Sequence, residues 1–183
     1  MFYHVTFYLF FLKYAASSFI IELYLKRKFD GGSMKILVFS DSHGMIGFMQ
    51  RIVKKEKPDM ILHLGDMESD CDGAFGEIRV VKVRGNCDYH SFEEKERFLD
   101  FGTSKIWMTH GHLYGVKTGL ASLLNHGKEL GADVILYGHT HRRYLLETDR
   151  YTVMNPGTPD GSYGVIELDH GAVVSVKIED VIY

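Results

Sequence analysis

Five short apolar runs in this 183-residue chain each stop at the same kind of residue. "ILVFS" is followed by Asp41 and His43, and "MILHL" by Gly65 and Asp66. "RVVKV" leads to Gly85, Asn86 and Asp88, "KIWMT" to His110 and His112, and "VILY" to Gly138, His139 and His141. Runs this short and this apolar read as strands buried on both faces. Ligands of open α/β sheets bind beyond the carboxyl ends of the strands, so five separate segments point at one crevice.

The pattern between these runs supports an α/β class. Residues 35–39 form the first strand, and Ile46, Met49, Ile52 and Val53 have helical spacing until Pro58 ends the segment. Residues 60–64 form the next strand, so a parallel pair joined by a helical crossover is expected. Residues 78–83 make a third strand, and "RFLDFGTSKIWMTH" reads as two strands joined at residues 102–104. A helix is expected over residues 117–130, closed by Gly131, before a buried strand at residues 134–137. From Tyr144 onward "RYLLET", "YTVMN", "YGVIELD" and "AVVSVKI" alternate strand with turn. Two packed sheets with helices outside follow from this order.

Imidazoles and carboxylates gathered at one point are metal-binding chemistry. Several neutral nitrogens mixed with hard oxygens suit manganese, iron, zinc, nickel or cobalt better than calcium or magnesium. Seven or eight such groups exceed what one catalytic ion takes. Two ions sharing a bridging carboxylate would use them, an arrangement suited to phosphoryl transfer.

Composition narrows the partners. The formal charge is -3, yet residues 1–33 hold four basic and two acidic residues, leaving 17 basic and 22 acidic in residues 34–183. A mildly acidic body argues against extended nucleic acid as a partner, which requires a basic face. Cys71 and Cys87 are too few for a disulfide framework in a chain able to bury its own core, so a reducing, cytoplasmic setting is expected.

Residues 1–33 do not match the rest. They are apolar and aromatic until Lys26, Arg27 and Lys28. Residues 5–25 have the length of a membrane span, but Lys13 and Glu22 lie inside it, and each is costly in lipid. As a secretory signal the segment lacks a basic start and a small-x-small cleavage site. The favoured expectation is a misassigned start, with translation beginning at Met34, because "MKILVFSDSHG" has a buried strand directly after its methionine. Residues 34–183 are then the single functional domain, and contact with a membrane is expected only if residues 1–33 belong to the protein.

The motifs "DSH" (41–43), "GD" (65–66), "GNCD" (85–88), "HGH" (110–112) and "GHTH" (138–141), with the "NPGT" turn at 155–158, resemble the calcineurin-like metallophosphoesterases in order and local context. The resemblance covers residues 34–183 and is closest to the small single-domain phosphodiesterase branch. It implies a four-layer α/β sandwich of two mixed β-sheets flanked by helices. It also implies that Asp41, His43 and His141 hold a first metal, that Asn86, His110 and His139 hold a second, and that Asp66 bridges them. Two divalent transition-metal ions are implied, manganese foremost, with nickel, iron, zinc or cobalt as alternatives. The implied reaction is hydrolysis of a small phosphodiester by in-line attack of a metal-bridging hydroxide, with Asp66, Asn86 and His112 as participants in catalysis. The alternatives are a nucleotidase or phosphomonoesterase on the same site, or a binding scaffold like the retromer subunit that shares the fold.

Other residues read as structural. His63 alternates within its strand, and His4, His90, His126 and His170 follow no strand end of this kind. Phe98, Phe101 and Trp107 are expected in the core, and Glu68, Asp70 and Asp72 on an exposed loop. His112 is expected to position substrate or a neighbouring ligand. Most of the superfamily carries a histidine where this chain has Cys87, and that histidine is thought to protonate the leaving group. A thiol with an unperturbed pKa of about 8.5 is a poor acid near neutrality. Asp88, without that histidine to orient, is expected to hold the turn through backbone hydrogen bonds.

Overall fold

The first strand, β1 (Ser33–Phe39), occupies the centre of a five-stranded sheet in the computed structural model, which describes residues 32–182. The expectations for residues 1–31 lie outside the described residues. Ser33, which precedes Met34, is paired with Asp169 in this sheet.

From β1 the chain runs through α1 (Ile46–Glu56) into β2 (Met60–His63), which pairs with β1 in parallel as the crossover pattern requires. Met49, Ile52 and Val53 form the buried stripe of α1. Lys57 ends the helix in a left-handed conformation, its N–H donating to the Val53 carbonyl at 2.9 Å. β3 (Arg79–Lys82) adds in parallel beyond β2. β9 (Ser162–Asp169) and β10 (Ala172–Asp180) complete the sheet antiparallel on the other side of β1.

The second sheet has the order β4, β5, β6, β8, β7. Its strands are β4 (Glu96–Asp100), β5 (Lys105–Thr109), β6 (Val134–Leu136), β7 (Tyr144–Glu147) and β8 (Thr152–Asn155). β5, β6 and β8 are mutually parallel, and the two edge strands run antiparallel to them. The helix α2 (Ala121–Glu129) is shorter than the expected 117–130. Residues 115–118 form a turn instead, with the Thr118 N–H on the Gly115 carbonyl, and Gly119 separates that turn from the helix. Gly119 takes φ 159°, an extended rather than helical conformation, so the helix starts after it.

Strand periodicity sets the layers. Ile36 and Val38 point between the sheets with Leu62, Val81, Ile106, Met108, Leu136 and Met154, whereas Leu37, Phe39 and Ile61 face Met49, Ile52 and Val53 of α1. In the second sheet Trp107, Ile135 and Val153 turn outward onto Leu123 of α2. Helix, sheet, sheet, helix is thus the four-layer α/β sandwich expected from the motifs.

Phe101 and Trp107 are in the core as expected, at 2% and 1% exposure, but Phe98 is 41% exposed. Phe98 lies on the edge strand β4, where Leu99 takes the inward position and leaves its neighbour facing out. No helix among the described residues is long and apolar enough to cross a membrane.

Candidate metal centre

The loops leaving β1, β2, β3, β5 and β6 meet at the carboxyl ends of the two sheets and bring seven expected ligands into two groups that share Asp66. One carboxylate oxygen or ring nitrogen from each of Asp41, His43, Asp66 and His141 lies within 4.8 Å of the others. The same holds for Asp66, His110 and His139. Asn86 joins the second group, its Oδ1 lying 3.2 Å from His110 Nε2.

The backbone is strained to achieve this. Of the eight non-glycine residues with positive φ among the described residues, five are Asp41, His43, Asp66, His139 and His141. Left-handed geometry is uncommon outside glycine and costs of order 1–3 kcal/mol per residue, so its concentration here marks a site held by its surroundings. Two glycines permit the close approach of the loops. A Cβ on Gly85 would fall on the carboxylate of Asp66, and one on Gly138 would meet Ser40 Oγ and lie 2.8 Å from Asp41 Oδ2.

The polar atoms around each group hold it open for a cation. Asp41 is fully buried. Its Oδ2 accepts from Ser40 Oγ at 2.5 Å and from the His139 N–H at 3.0 Å. Its Oδ1 has no hydrogen-bond partner and lies 3.2 Å from His141 Nε2. A buried carboxylate oxygen without a donor calls for an ion or a water.

At the second group His110 Nδ1 donates to the Leu64 carbonyl at 2.8 Å, which fixes the proton there in the neutral ring. The Nε2 lone pair then faces Asn86 Oδ1 at 3.2 Å and Asp66 Oδ1 at 3.4 Å, three acceptors with no donor among them. Either a proton or a metal ion must sit there. Without metal, burial lowers the pKa of His110, but the Asp66 carboxylate outweighs it and holds the ring above its ordinary value. Burial likewise raises that of Asp66, and His110 with the Cys87 N–H outweighs it and holds the carboxyl well below the usual range. His139, partly desolvated and near the charges of His110 and Lys117, is pushed down to about 4 and offers a neutral ring at pH 7. The donor set therefore fits two divalent ions, with mixed imidazole nitrogen and carboxylate or amide oxygen at each.

A second layer of hydrogen bonds aims the ligands. Asp88 Oδ2 accepts from the N–H groups of Gly85 at 2.7 Å and Asp66 at 2.9 Å, and its Oδ1 accepts from Glu68 N–H at 3.1 Å. It holds the turn as expected. Asn155 Nδ2 donates to the Gly138 carbonyl at 2.9 Å and to Thr140 Oγ1 at 3.0 Å, so the "NPGT" turn braces the "GHTH" loop.

Two residues expected on an exposed loop are buried. Asp70, 8% exposed, takes Ser42 Oγ–H and the Gly44 N–H on one oxygen, each at 2.7 Å, and so fixes both sides of His43. Glu68, 7% exposed, pairs with Lys82. Asp72 is exposed, as expected, and also meets Lys82. The acidic residues fold inward because the short 3-10 turn Glu68–Cys71 packs under the β1 loop. The one available signal was their position directly after the "GD" motif.

His63 is structural as expected, but it links two of the motifs to Asp70. Gly65 N–H points at its Nδ1 at 3.3 Å, so its Nε2–H faces Ser42 Oγ at 3.1 Å, which in turn donates to Asp70. His112 stands outside both ligand groups, its ring 5.4 Å from that of His110 and 6.1 Å from that of His139, with a buried Nδ1 that has no hydrogen-bond partner. Cys87 lies beside Asp66, donating its N–H to Oδ1 at 2.8 Å, and desolvation together with that carboxylate raises its thiol pKa.

Residues 34–178 match the calcineurin-like phosphoesterase superfamily domain, and the chain belongs to that family. A probable metallophosphoesterase of Bacillus subtilis, YsnB, is 35% identical over 76% of this chain and 87% of its own length. The phosphodiesterase YfcE of Escherichia coli is 26% identical over 81% of this chain and 96% of its own. A single mutant of Vps29 from Entamoeba histolytica shares the fold at a TM-score of 0.66, with 19% identity over 81% of this chain and all of that one.

Proposed function

We propose that this protein is a phosphodiesterase dependent on two divalent metal ions, acting on small diesters by in-line attack of water on phosphorus. The observation that supports it most is the pair of ligand groups sharing Asp66, one with the buried Asp41 Oδ1 lacking a donor and the other with His110 Nε2 facing only acceptors. In this reading Asp41, His43 and His141 hold one ion, Asn86, His110 and His139 the other, and Asp66 both. The ions supply positive charge for the phosphate oxygens and lower the pKa of water at the site. The chain's own part is to fix the ligands: Leu64 sets the His110 tautomer, and Asp70 and Asp88 hold the loops of His43 and Asp66. His112 orients substrate or a neighbouring ligand from beside His110 and His139.

Manganese is the favoured ion, with nickel, iron, zinc or cobalt able to fill the same mixed site. The proposed setting is the cytoplasm, in keeping with the free thiols of Cys71 and Cys87. The preference for a small diester over extended nucleic acid rests on the acidic charge balance of residues 34–183. Hydrolysis of bis(p-nitrophenyl) phosphate by metal-loaded protein, lost on chelation and in Asp66→Asn, is the expected result; no turnover with any divalent ion at full metal occupancy would contradict it.

A second reading, a non-catalytic scaffold, draws on the likeness in fold to Vps29. Metal-loaded protein inert towards every phosphoester would favour it. Faster hydrolysis of phosphomonoesters than of diesters would instead favour a nucleotidase or phosphomonoesterase.

A further inference from the structure

Beside the metal centre, and sharing Cys87 and Asp88 with its supporting turn, lies an open cavity of about 930 Å³. One side of this turn binds Asp66, through the Cys87 N–H and the Asp88 carboxylate. The other side forms a wall of the cavity, which places this space one turn away from the shared carboxylate.

Its lining is aromatic and short of available positive charge. Tyr89 and Phe92 stand at the cavity with 84% and 74% of their surface exposed, joined by Met67. Exposed rings at the side of a concave site are suited to stacking on a flat group. Both cations of the lining are engaged: Lys82 with Glu68 and Asp72, and Arg97 with Glu93 at 2.7 Å. Four carboxylates, those of Glu68, Asp72, Asp88 and Glu93, line the cavity beside these two bases. A second phosphate or carboxylate would therefore lose water here without gaining a counter-charge.

We propose that this cavity is the subsite for an uncharged aromatic ester group, which makes the preferred substrates diesters joining one phosphate to a flat neutral group, with pyrophosphate-bearing and other polyanionic esters disfavoured. This rests on the phosphodiesterase reading for its catalytic consequence, although the binding preference is independent of turnover.

The test uses metal-loaded full-length protein and Tyr89→Ala/Phe92→Ala, two exposed positions whose truncation spares the core. Bis(p-nitrophenyl) phosphate carries an aryl group on each side of phosphorus, so one fills the cavity in either orientation. The double variant should lose about tenfold in kcat/KM, in line with removal of two stacking partners, while inhibition by inorganic phosphate stays unchanged. Unchanged kcat/KM, or an equal weakening of phosphate inhibition, would overturn the subsite.

For charge, calorimetry should show phenyl phosphate binding more tightly than 4-carboxyphenyl phosphate, with the gap narrowed about threefold in Asp72→Lys by removal of local repulsion. Equal affinities in the wild type, or an unaltered gap in the variant, would overturn the charge selection. If the wild type shows the phenyl phosphate preference but cleaves no diester, the phosphodiesterase reading fails and the subsite stands.

Discussion

Asp88 grips Asp66 by its backbone: the Asp88 Oδ2 accepts the Asp66 N–H at 2.9 Å while also holding the N–H of Gly85. The side chain that the two ligand groups share is thus aimed by the carboxylate directly after Cys87. Asp88→Ala removes the acceptor of three backbone donors. It should reduce metal affinity about 10–100-fold, the usual effect of losing a group that orients ligands. Metal titration by calorimetry checks this, and an affinity equal to wild type would show that Asp66 is aimed by other means.

Asp70 acts on the other group. One of its carboxylate oxygens, Oδ2, accepts from both Ser42 and Gly44, the two neighbours of His43. Asp70→Ala should weaken the Asp41, His43 and His141 site selectively, so that protein dialysed against limiting manganese keeps close to one ion where the wild type keeps two. Metal analysis by mass spectrometry gives the count.

His63 predicts a pH dependence in the metal-free protein. Complete burial, only partly offset by Asp88 and Asp70, pushes its pKa down to about 4 from 6.5. The folded state therefore keeps the ring neutral while the unfolded chain takes up a proton below pH 6.5. Its stabilisation is complete above pH 6.5 and falls as the pH drops towards 4, by about 2 kcal/mol between pH 7 and 5. Urea denaturation in chelator at the two pH values measures the drop, and His63→Gln should remove most of this contribution.

Cys87 is a weak acid made weaker, since desolvation and the Asp66 carboxylate both raise its pKa. Cys87→His should raise turnover of alkyl phosphodiesters relative to p-nitrophenyl esters about 100-fold, the lower end for an added general acid. An unchanged ratio between good and poor leaving groups would show that proton donation at this position does not limit the reaction.

Much of the candidate centre was legible because its residues follow strand ends, and buried strands announce themselves as apolar runs. Asp41, Asp66, Asn86, His110 and His139 are of this kind. Asp70 and Glu68 were not legible: single acidic residues in a polar loop look the same whether they face solvent or accept Ser42 and Lys82. The helical spacing of Met49, Ile52 and Val53 located α1 well, whereas α2 starts only after Gly119, whose φ of 159° is not helical. Phe98 was misplaced because its exposure depends on β4 being an edge, and strand order is a long-range property. The cavity beside Cys87 joins residues 67–69, Asp72, Lys82, residues 87–93 and Arg97, so no local pattern could announce it.

The central claim is that one carboxylate, Asp66, serves two metal ions. Counting ions per chain by mass spectrometry in manganese-saturated, desalted wild type and Asp66→Ala tests it most directly. The account predicts close to two in the wild type and fewer than one in the variant, with diester hydrolysis lost alongside. Two ions retained by Asp66→Ala, or none held by the wild type, would contradict it.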